Sequence, residues 1–467
     1  MTDAERVREA AKACVHCGFC LPACPTYELW GEEMDSPRGR IHLVSQVLAG
    51  APLTAAAAEH FDRCLGCMAC MTACPSGVQY DVLIEAGREW AEQPSTVPAA
   101  PGVASGPAPG PAQPPAAAAD PAAALAPARS PVLARRPARD RATRAAIFSV
   151  FPYPRRLRAL TAPLRLAQRA GADRLLLRSG IPARVSATAE AALRLAPPAA
   201  RERGRLPGRV PARGARRAVV GMLTGCVQSV FFPGVNAATA RVLAAEGCDV
   251  IIPRGQGCCG ALSLHAGRAS EAAAFARAAI AEFERAGVDA IVVNSAGCGS
   301  AMKEYERLLA GDPAWGPRAA ALSARVRDLA EFLVEIGPVA ERHPIAVTAA
   351  YHDACHLGHA QRITSQPREL LAAIPSLRLV ELPDAGTCCG SAGVYNLVQP
   401  EAARALGQRK ADSVLATGAE LLISANPGCT LQISAELAGR GAPIATAHTA
   451  EILDASVRGL RRPPFLG

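Results

Sequence analysis

Sixteen of the seventeen cysteines in this 467-residue chain fall into two kinds of pattern. Cys14, Cys17, Cys20 and Cys24-Pro25 form a C-x2-C-x2-C-x3-C-P run, and Cys64, Cys67, Cys70 and Cys74-Pro75 repeat it fifty residues on. This is the spacing by which thiolates hold cubane [4Fe–4S] clusters in two-cluster ferredoxins. Three cysteines of a tight loop reach three corners of one cube, and the fourth, a turn further on, points to the other. Cys14, Cys17, Cys20 and Cys74 are therefore expected to hold one cluster, and Cys64, Cys67, Cys70 and Cys24 the second. Structural zinc accounts for four thiolates per site but not for the evenly spaced third cysteine or the repeated Cys-Pro.

The second pattern is an internal repeat. Cys226, Cys258-Cys259-Gly260 and Cys298 recur as Cys355, Cys388-Cys389-Gly390 and Cys429, at offsets of 129, 130 and 131 residues. In each copy short β-rich runs alternate with helical stretches, which implies a parallel sheet covered by helices. The runs are 218–223, 249–252 and 290–293, then 345–351, 377–382 and 420–424. Each cysteine position follows a strand closely, so three separated positions converge on the carboxyl edge where open α/β sheets place ligands. Glycines beside them (Gly257, Gly260, Gly297, Gly299, Gly386, Gly390, Gly428) are expected to admit close approach to something bulky. These eight cysteines are candidates for an additional metal or iron–sulfur centre, for zinc, or for redox dithiols. The run Tyr351-His352-Asp353-Ala354-Cys355-His356, continuing to His359, makes the second copy the expected host of any further chemistry. Cys248 matches nothing in the repeat and reads as a core residue.

The elements that position these groups divide the chain. Residues 1–92 read as a mainly helical ferredoxin domain, with helices over 3–13, 39–48 and 82–90. Residues 93–140 form a Pro/Ala-rich linker, 141–215 a basic helical segment, 216–342 the first CCG domain and 343–467 the second. The fold class is thus an α-helical two-cluster ferredoxin followed by duplicated α/β domains with parallel sheets. The formal charge of +9 is uneven. Residues 129–217 hold 22 arginines, no lysine and four acids, a net of +18, leaving −9 for the rest. With Leu157, Leu160, Leu164, Leu166 and Leu175 to Leu177 among them, these arginines suggest basic amphipathic helices at a membrane surface or a partner subunit. No nucleic-acid module accompanies them, so no nucleic-acid partner is expected. Seventeen cysteines without a secretory signal point to a reducing cytoplasm. The SPRGR run places Arg38 and Arg40 near the first motif or at a helix start.

Together these motifs resemble the glycolate oxidase (glycolate dehydrogenase) iron–sulfur subunit family. The likeness extends to Thr224-Gly-Cys-Val-Gln228, Gln256-Gly-Cys-Cys-Gly-Ala-Leu262, Val293-Asn-Ser-Ala-Gly-Cys298, Tyr351-His-Asp-Ala-Cys-His-Leu357 and Asn426-Pro-Gly-Cys429. The resemblance implies an electron-transfer subunit, not catalytic alone. It would pass electrons from FAD-bearing partner subunits, which oxidise glycolate to glyoxylate, towards a quinone acceptor, with possible peripheral association at the inner face of the cytoplasmic membrane. Iron–sulfur subunits of lactate or glycerol-3-phosphate dehydrogenases and catalytic subunits of the heterodisulfide reductase type share the domain plan and stand as alternatives. FAD is expected only on the partners, because the single G-x-G-x-x-G match, Gly255 to Gly260, coincides with a CCG loop. Heterodisulfide-type domains end in C-x-x-C; here Cys298 is followed by Gly-Ser-Ala and Cys429 by Thr-Leu-Gln, so each copy lacks one ligand of that pattern.

Overall fold

The computed structural model of the chain describes residues 3–98, 136–197 and 206–466. Most of the Pro/Ala-rich stretch lies outside the described residues; at its start Pro94–Thr96 make one 3-10 turn.

The N-terminal unit is helical, as its sequence implies. Its main helices are Asp3–Lys12, Pro37–Leu48, Ala55–Arg63 and Tyr80–Glu92. Ser36 starts the second: its hydroxyl accepts the Gly39 N–H at 3.0 Å and Pro37 fills the first turn, where no N–H is needed. Thr54 caps the third in the same way, accepting from Ala57 at 3.1 Å. Ile41, Val44, Phe61, Leu83, Ile84 and Trp90 are buried between them, together with Cys64 and Cys70. Gly87 lets the helices close, since a Cβ there would lie 3.1 Å from the Phe61 ring.

One buried carboxylate ties this unit together. Asp35, fully buried, meets Arg40 (3.1 Å) and His60 (2.9 Å) through Oδ1 and Arg63 (3.0 Å) through Oδ2. Arg40 is itself 1% exposed, donates to the Asp35 and His60 carbonyls and reaches Thr26 Oγ1 at 3.1 Å. The SPRGR run is therefore a capped helix start whose second arginine is a buried strut. Its first, Arg38, pairs with Glu33 and donates to the His16 carbonyl in the first cysteine loop.

The repeat folds into two sheets of matching topology. The first contains β1 (Arg209–Val210), β2 (Ala218–Leu223), β3 (Cys248–Ile251), β4 (Ala290–Val293) and β5 (Val326–Asp328), in the order β1-β3-β2-β4-β5. The second contains β6 (Val347–His352), β7 (Leu377–Glu381), β8 (Leu421–Ser424) and β9 (Ala445–Ala447), in the order β7-β6-β8-β9. All pairs are parallel except β1 with β3. Even the register is duplicated: Ala218 pairs with Cys248 as Val347 does with Leu377, and Val220 with Ala290 as Ala349 does with Leu421. Three short strands, β1, β5 and β9, are too brief to stand out as hydrophobic runs and go beyond the sequence expectation. Cys248 sits in the core, fully buried, as expected.

The two copies share one core, which joins Val242 and Leu243 to Leu453 and Ile452. Polar links reinforce the seam. Arg241 grips Asp454 with two bonds (2.9 and 2.7 Å), and His448 caps helix Thr449–Val457 through Nδ1 while its Nε2 donates to the Asn294 carbonyl at 2.8 Å. Among the described residues the basic segment forms five helices, Ala138–Val150, Pro154–Arg169, Ala172–Arg178, Ile181–Val185 and Ala187–Arg194. Its ends are anchored, Arg144 to Asp62 at 3.1 Å and Arg194 to Glu436 at 3.0 Å. Between them the leucines divide: Leu157 is buried, whereas Leu160, Leu166 and Leu175 are 57%, 70% and 71% exposed. No helix among the described residues is long and apolar enough to cross a membrane.

Candidate cluster-binding sites

None of the seventeen cysteines is in a disulfide. The two ferredoxin loops share a backbone device. Each has left-handed residues on both sides of its second cysteine, His16 (φ 53°) and Gly18 (86°) in the first, Gly66 (63°) and Met68 (62°) in the second. One residue of each pair is not glycine, a conformation that costs about 1 kcal/mol or more and clusters at ligand-binding loops. The double reversal curls the chain around a point instead of letting it extend.

Side chains from both loops then meet crosswise. Cys14, Cys17, Cys20 and Cys74 line one concavity at the surface, with Arg38, Ile41 and Val78 on its walls. Cys24, Cys64, Cys67 and Cys70 lie within electrostatic reach of one another in the interior. Cys70 also borders the first concavity, so the two sites are neighbours. The donor set fits two thiolate-ligated clusters: four soft ligands per site, free of disulfides, three from one loop and one from the other.

Electrostatics separate the thiols. Burial pushes Cys67 and Cys70 well up and Cys20 up more modestly. Cys64 is equally buried, yet it is drawn down, because Arg40 and Arg88 stand nearby and the Gly66 N–H points at its sulfur from 3.3 Å. Arg88 also donates to the Cys64 and Phe61 carbonyls and, at 2.8 Å, to the His265 carbonyl of the first CCG copy. Two buried guanidiniums thus face the inner site. Neither Asp35–Arg40 nor Arg88 was legible as part of it, since their partners are brought in by tertiary packing.

The CCG copies close over that inner site. Cys67, Leu65 and Ala69 pack with Cys388, Tyr395 and Leu406, and Cys355 borders the same cluster. Tyr395 donates to the Arg63 carbonyl at 3.1 Å and Arg307 pairs with Glu85 at 2.8 Å. Within each copy the cysteines converge at the carboxyl edge of the sheet. In the first, Cys226 and Cys258 are 3.6 Å apart, and Cys259 is lowered by bonds from Cys258 and Cys298. In the second, Cys388 turns towards Cys355, while Cys389 turns towards Cys429. A further concavity opens here, with Cys355, His359 and Thr72 on its wall and Arg368 held against Asp353.

At two of the seven positions the glycine expectation needs correction. Gly260 (φ 86°) and Gly390 (85°) do not clear space for a ligand. A Cβ there would meet helix backbone, the Ala272 carbonyl of helix Ala269–Ala286 at 2.9 Å and the Ala403 carbonyl of helix Pro400–Ala416 at 2.6 Å. They are needed to turn the Cys-Cys pair tightly against that helix.

Comparison with known proteins places these features together. A 4Fe-4S dicluster domain matches residues 10–78, a cysteine-rich domain matches 220–303 and 349–434, and the linker region of the glycolate oxidase iron-sulfur subunit matches 139–192. The chain is 34% identical to a probable glycolate oxidase iron-sulfur subunit of Bacillus subtilis over 94% of its length and 92% of the relative's. It is 35% identical to the glycolate oxidase iron-sulfur subunit of Escherichia coli, over 92% and 90%. Lactate utilization protein A of an Exiguobacterium species is 34% identical over 51% of this chain and 98% of its own.

Proposed function

This chain belongs to the glycolate oxidase iron–sulfur subunit family, and on that premise we propose that it is the electron-transfer subunit of a membrane-associated glycolate dehydrogenase, without catalysis of its own. FAD-bearing partner subunits oxidise glycolate to glyoxylate, and a quinone takes the electrons. Cys14, Cys17, Cys20 and Cys74 hold one [4Fe–4S] cluster and Cys64, Cys67, Cys70 and Cys24 the other. When bound, such clusters supply one-electron carriers whose potential follows charge, hydrogen bonding and exposure.

The residues give the two sites different duties. The outer loop presents Cys17, Val15 and Phe19 to solvent, the last two 69% and 68% exposed, which suits contact with a redox partner. The inner loop is kept dry by Tyr395, Leu406 and Cys388, and Arg40 and Arg88 balance thiolate charge there. The exposed leucines of helices Pro154–Arg169 and Ala172–Arg178, set among eight arginines and one acid over 154–185, suit a peripheral location on an anionic membrane face.

The crosswise meeting of Cys74 with Cys14, Cys17 and Cys20 is the observation that carries this reading. Anaerobic purification from the native host, followed by addition of glycolate, lactate or glycerol 3-phosphate, tests it. Bleaching by glycolate with paired cubane EPR signals and a co-purified flavoprotein is the expected result. The similarity to lactate utilization protein A makes lactate the second substrate to try, and bleaching by lactate alone would replace glycolate in the proposal.

A further inference from the structure

Strand β6 ends in His352, a residue with no counterpart in the first copy. The repeat offset of 129 residues aligns it with Leu223, the last residue of β2. Leu223 is simply core, packed with Ile291 and Val293. His352 is 1% exposed, and both of its ring nitrogens are buried without a hydrogen-bond partner. An unmet buried polar group costs about 1–3 kcal/mol, so leucine would be the better residue if packing were its only task.

Its surroundings give the imidazole something to bind. A ring nitrogen of His352 and the sulfurs of Cys389 and Cys429 all lie within 4.8 Å of one another, and all three residues are buried. Cys388 and Cys389 touch one another, but their outer contacts differ: Cys388 also bonds Cys355, and Cys389 also bonds Cys429. Asn426 Nδ2 donates to the Cys429 sulfur at 3.3 Å and holds it in place. Ser391 Oγ, also buried without a partner, lies 2.5 Å from where a Cβ on Gly428 would sit. Three donors that converge on one point suit a single ion rather than the spread corners of a cluster.

We propose that His352, Cys389 and Cys429 bind one tetrahedral thiophilic divalent ion of the zinc class, in the second CCG copy only. Two thiolates and a neutral imidazole are the donors that zinc prefers, and three protein ligands leave the fourth position to a non-protein ligand. Bond lengths of about 2.0–2.3 Å place tetrahedral ligands roughly 3.5–3.8 Å apart, a modest contraction from the spacing seen here. The ion joins the end of β6 to the CCG loop and to helix Pro427–Gly439, so His352 takes over ligation in a copy that lacks the closing cysteine. The inference stands apart from the electron-transfer reading.

The test is metal analysis of the full-length chain purified anaerobically, with zinc K-edge absorption on the same sample. About one zinc per chain is expected, with sulfur scatterers and one imidazole. His352→Leu, which copies the first repeat, should lower zinc at least tenfold while iron content and the ferredoxin EPR signals stay unchanged. His352→Cys should retain the ion and replace the imidazole scatterer with sulfur. Zinc kept in full by His352→Leu, a wild-type zinc shell without imidazole, or no zinc even after anaerobic loading would overturn the proposal. Iron above the ferredoxin complement that vanishes with His352→Leu would overturn the assignment to a zinc-class ion. The wild-type spectrum decides the matter even where a variant fails to fold. Loss of the ferredoxin signals alone would count against the electron-transfer reading and not against this one.

Discussion

His356 Nε2 donates to the carbonyl oxygen of Gly66 across 3.0 Å, fastening the residue after Cys355 to the loop that carries Cys64 and Cys67. His265 of the first copy meets the same imidazole edge-on, ring centroids 4.8 Å apart. One side chain thus bridges the ferredoxin unit and both halves of the repeat. Burial and the neighbouring ring both push His265 well down, and burial lowers His356, so each stays uncharged at neutral pH.

Replacing His356 with alanine removes one buried hydrogen bond and one ring contact. Domain docking should weaken by about 1–3 kcal/mol, visible in chemical denaturation as earlier exposure of the inner loop. Oxygen should bleach the inner cluster faster in this variant, with the outer cluster unaffected. Equal bleaching rates in variant and wild type would refute the sealing role.

Cysteine exchange between the loops gives the sharpest test of the ligand assignment. Cys74→Ser should perturb the cluster of Cys14, Cys17 and Cys20, and Cys24→Ser that of Cys64, Cys67 and Cys70. EPR of the reduced variants distinguishes them. If Cys74→Ser alters the inner signal instead, each loop holds its own fourth ligand.

Asp35→Ala should be among the most damaging substitutions in the N-terminal unit. It strips the counter-charge from Arg40, which is buried, and the expected loss is about 3–5 kcal/mol by urea denaturation. Asp35→Asn should cost less, because the amide still accepts a bond from one of the three partners.

Acid should loosen the seam between the two copies. Burial holds His448 at about 4, below its ordinary 6.5, as the neutral ring caps helix Thr449–Val457. A depressed histidine contributes stability that is complete above 6.5 and is lost as pH falls through 4. The contribution is about 3 kcal/mol at most. Denaturation midpoints measured from pH 7 to 4 should fall less steeply in His448→Asn.

The arginine-rich helices should bind vesicles containing phosphatidylglycerol and ignore pure phosphatidylcholine, with binding lost as salt rises. Changing Arg165 and Arg169 to glutamine should weaken co-sedimentation roughly tenfold or more. Binding retained in phosphatidylcholine would mean that Leu160, Leu166 and Leu175 act without the charge. Binding only to a flavoprotein would make this face a subunit contact.

Much of this architecture was legible because its signals are local. Ligand spacing marks the two ferredoxin loops, and the offsets of 129 to 131 residues mark the duplication without reference to any strand. The expected helices 3–13, 39–48 and 82–90 agree with the structure to within a few residues, whereas the Thr54-capped helix Ala55–Arg63 was not expected. What was illegible depends on contacts between segments far apart in the chain. Asp35 gives no sign in sequence that it will clamp three cations, and His352 could not be singled out from His356 and His359. Only folding sends His352 to Cys389 and Cys429, His356 to Gly66, and His359 to Thr72 and Gly386. Gly260 and Gly390 misled for a related reason: tight packing against a helix and room for a ligand call for the same residue.

The roof that Cys388 and Tyr395 place over Cys67 also sets an order of manufacture. Residues 3–98 leave the ribosome long before Tyr395 exists, so the inner loop is open to iron and sulfide delivery only until the C-terminal half docks. Loading then becomes a race against folding. On the proposed ligand assignment, a chain that closes first would trap Cys24, Cys64, Cys67 and Cys70 as thiols, and would have to undock its C-terminal half to be repaired.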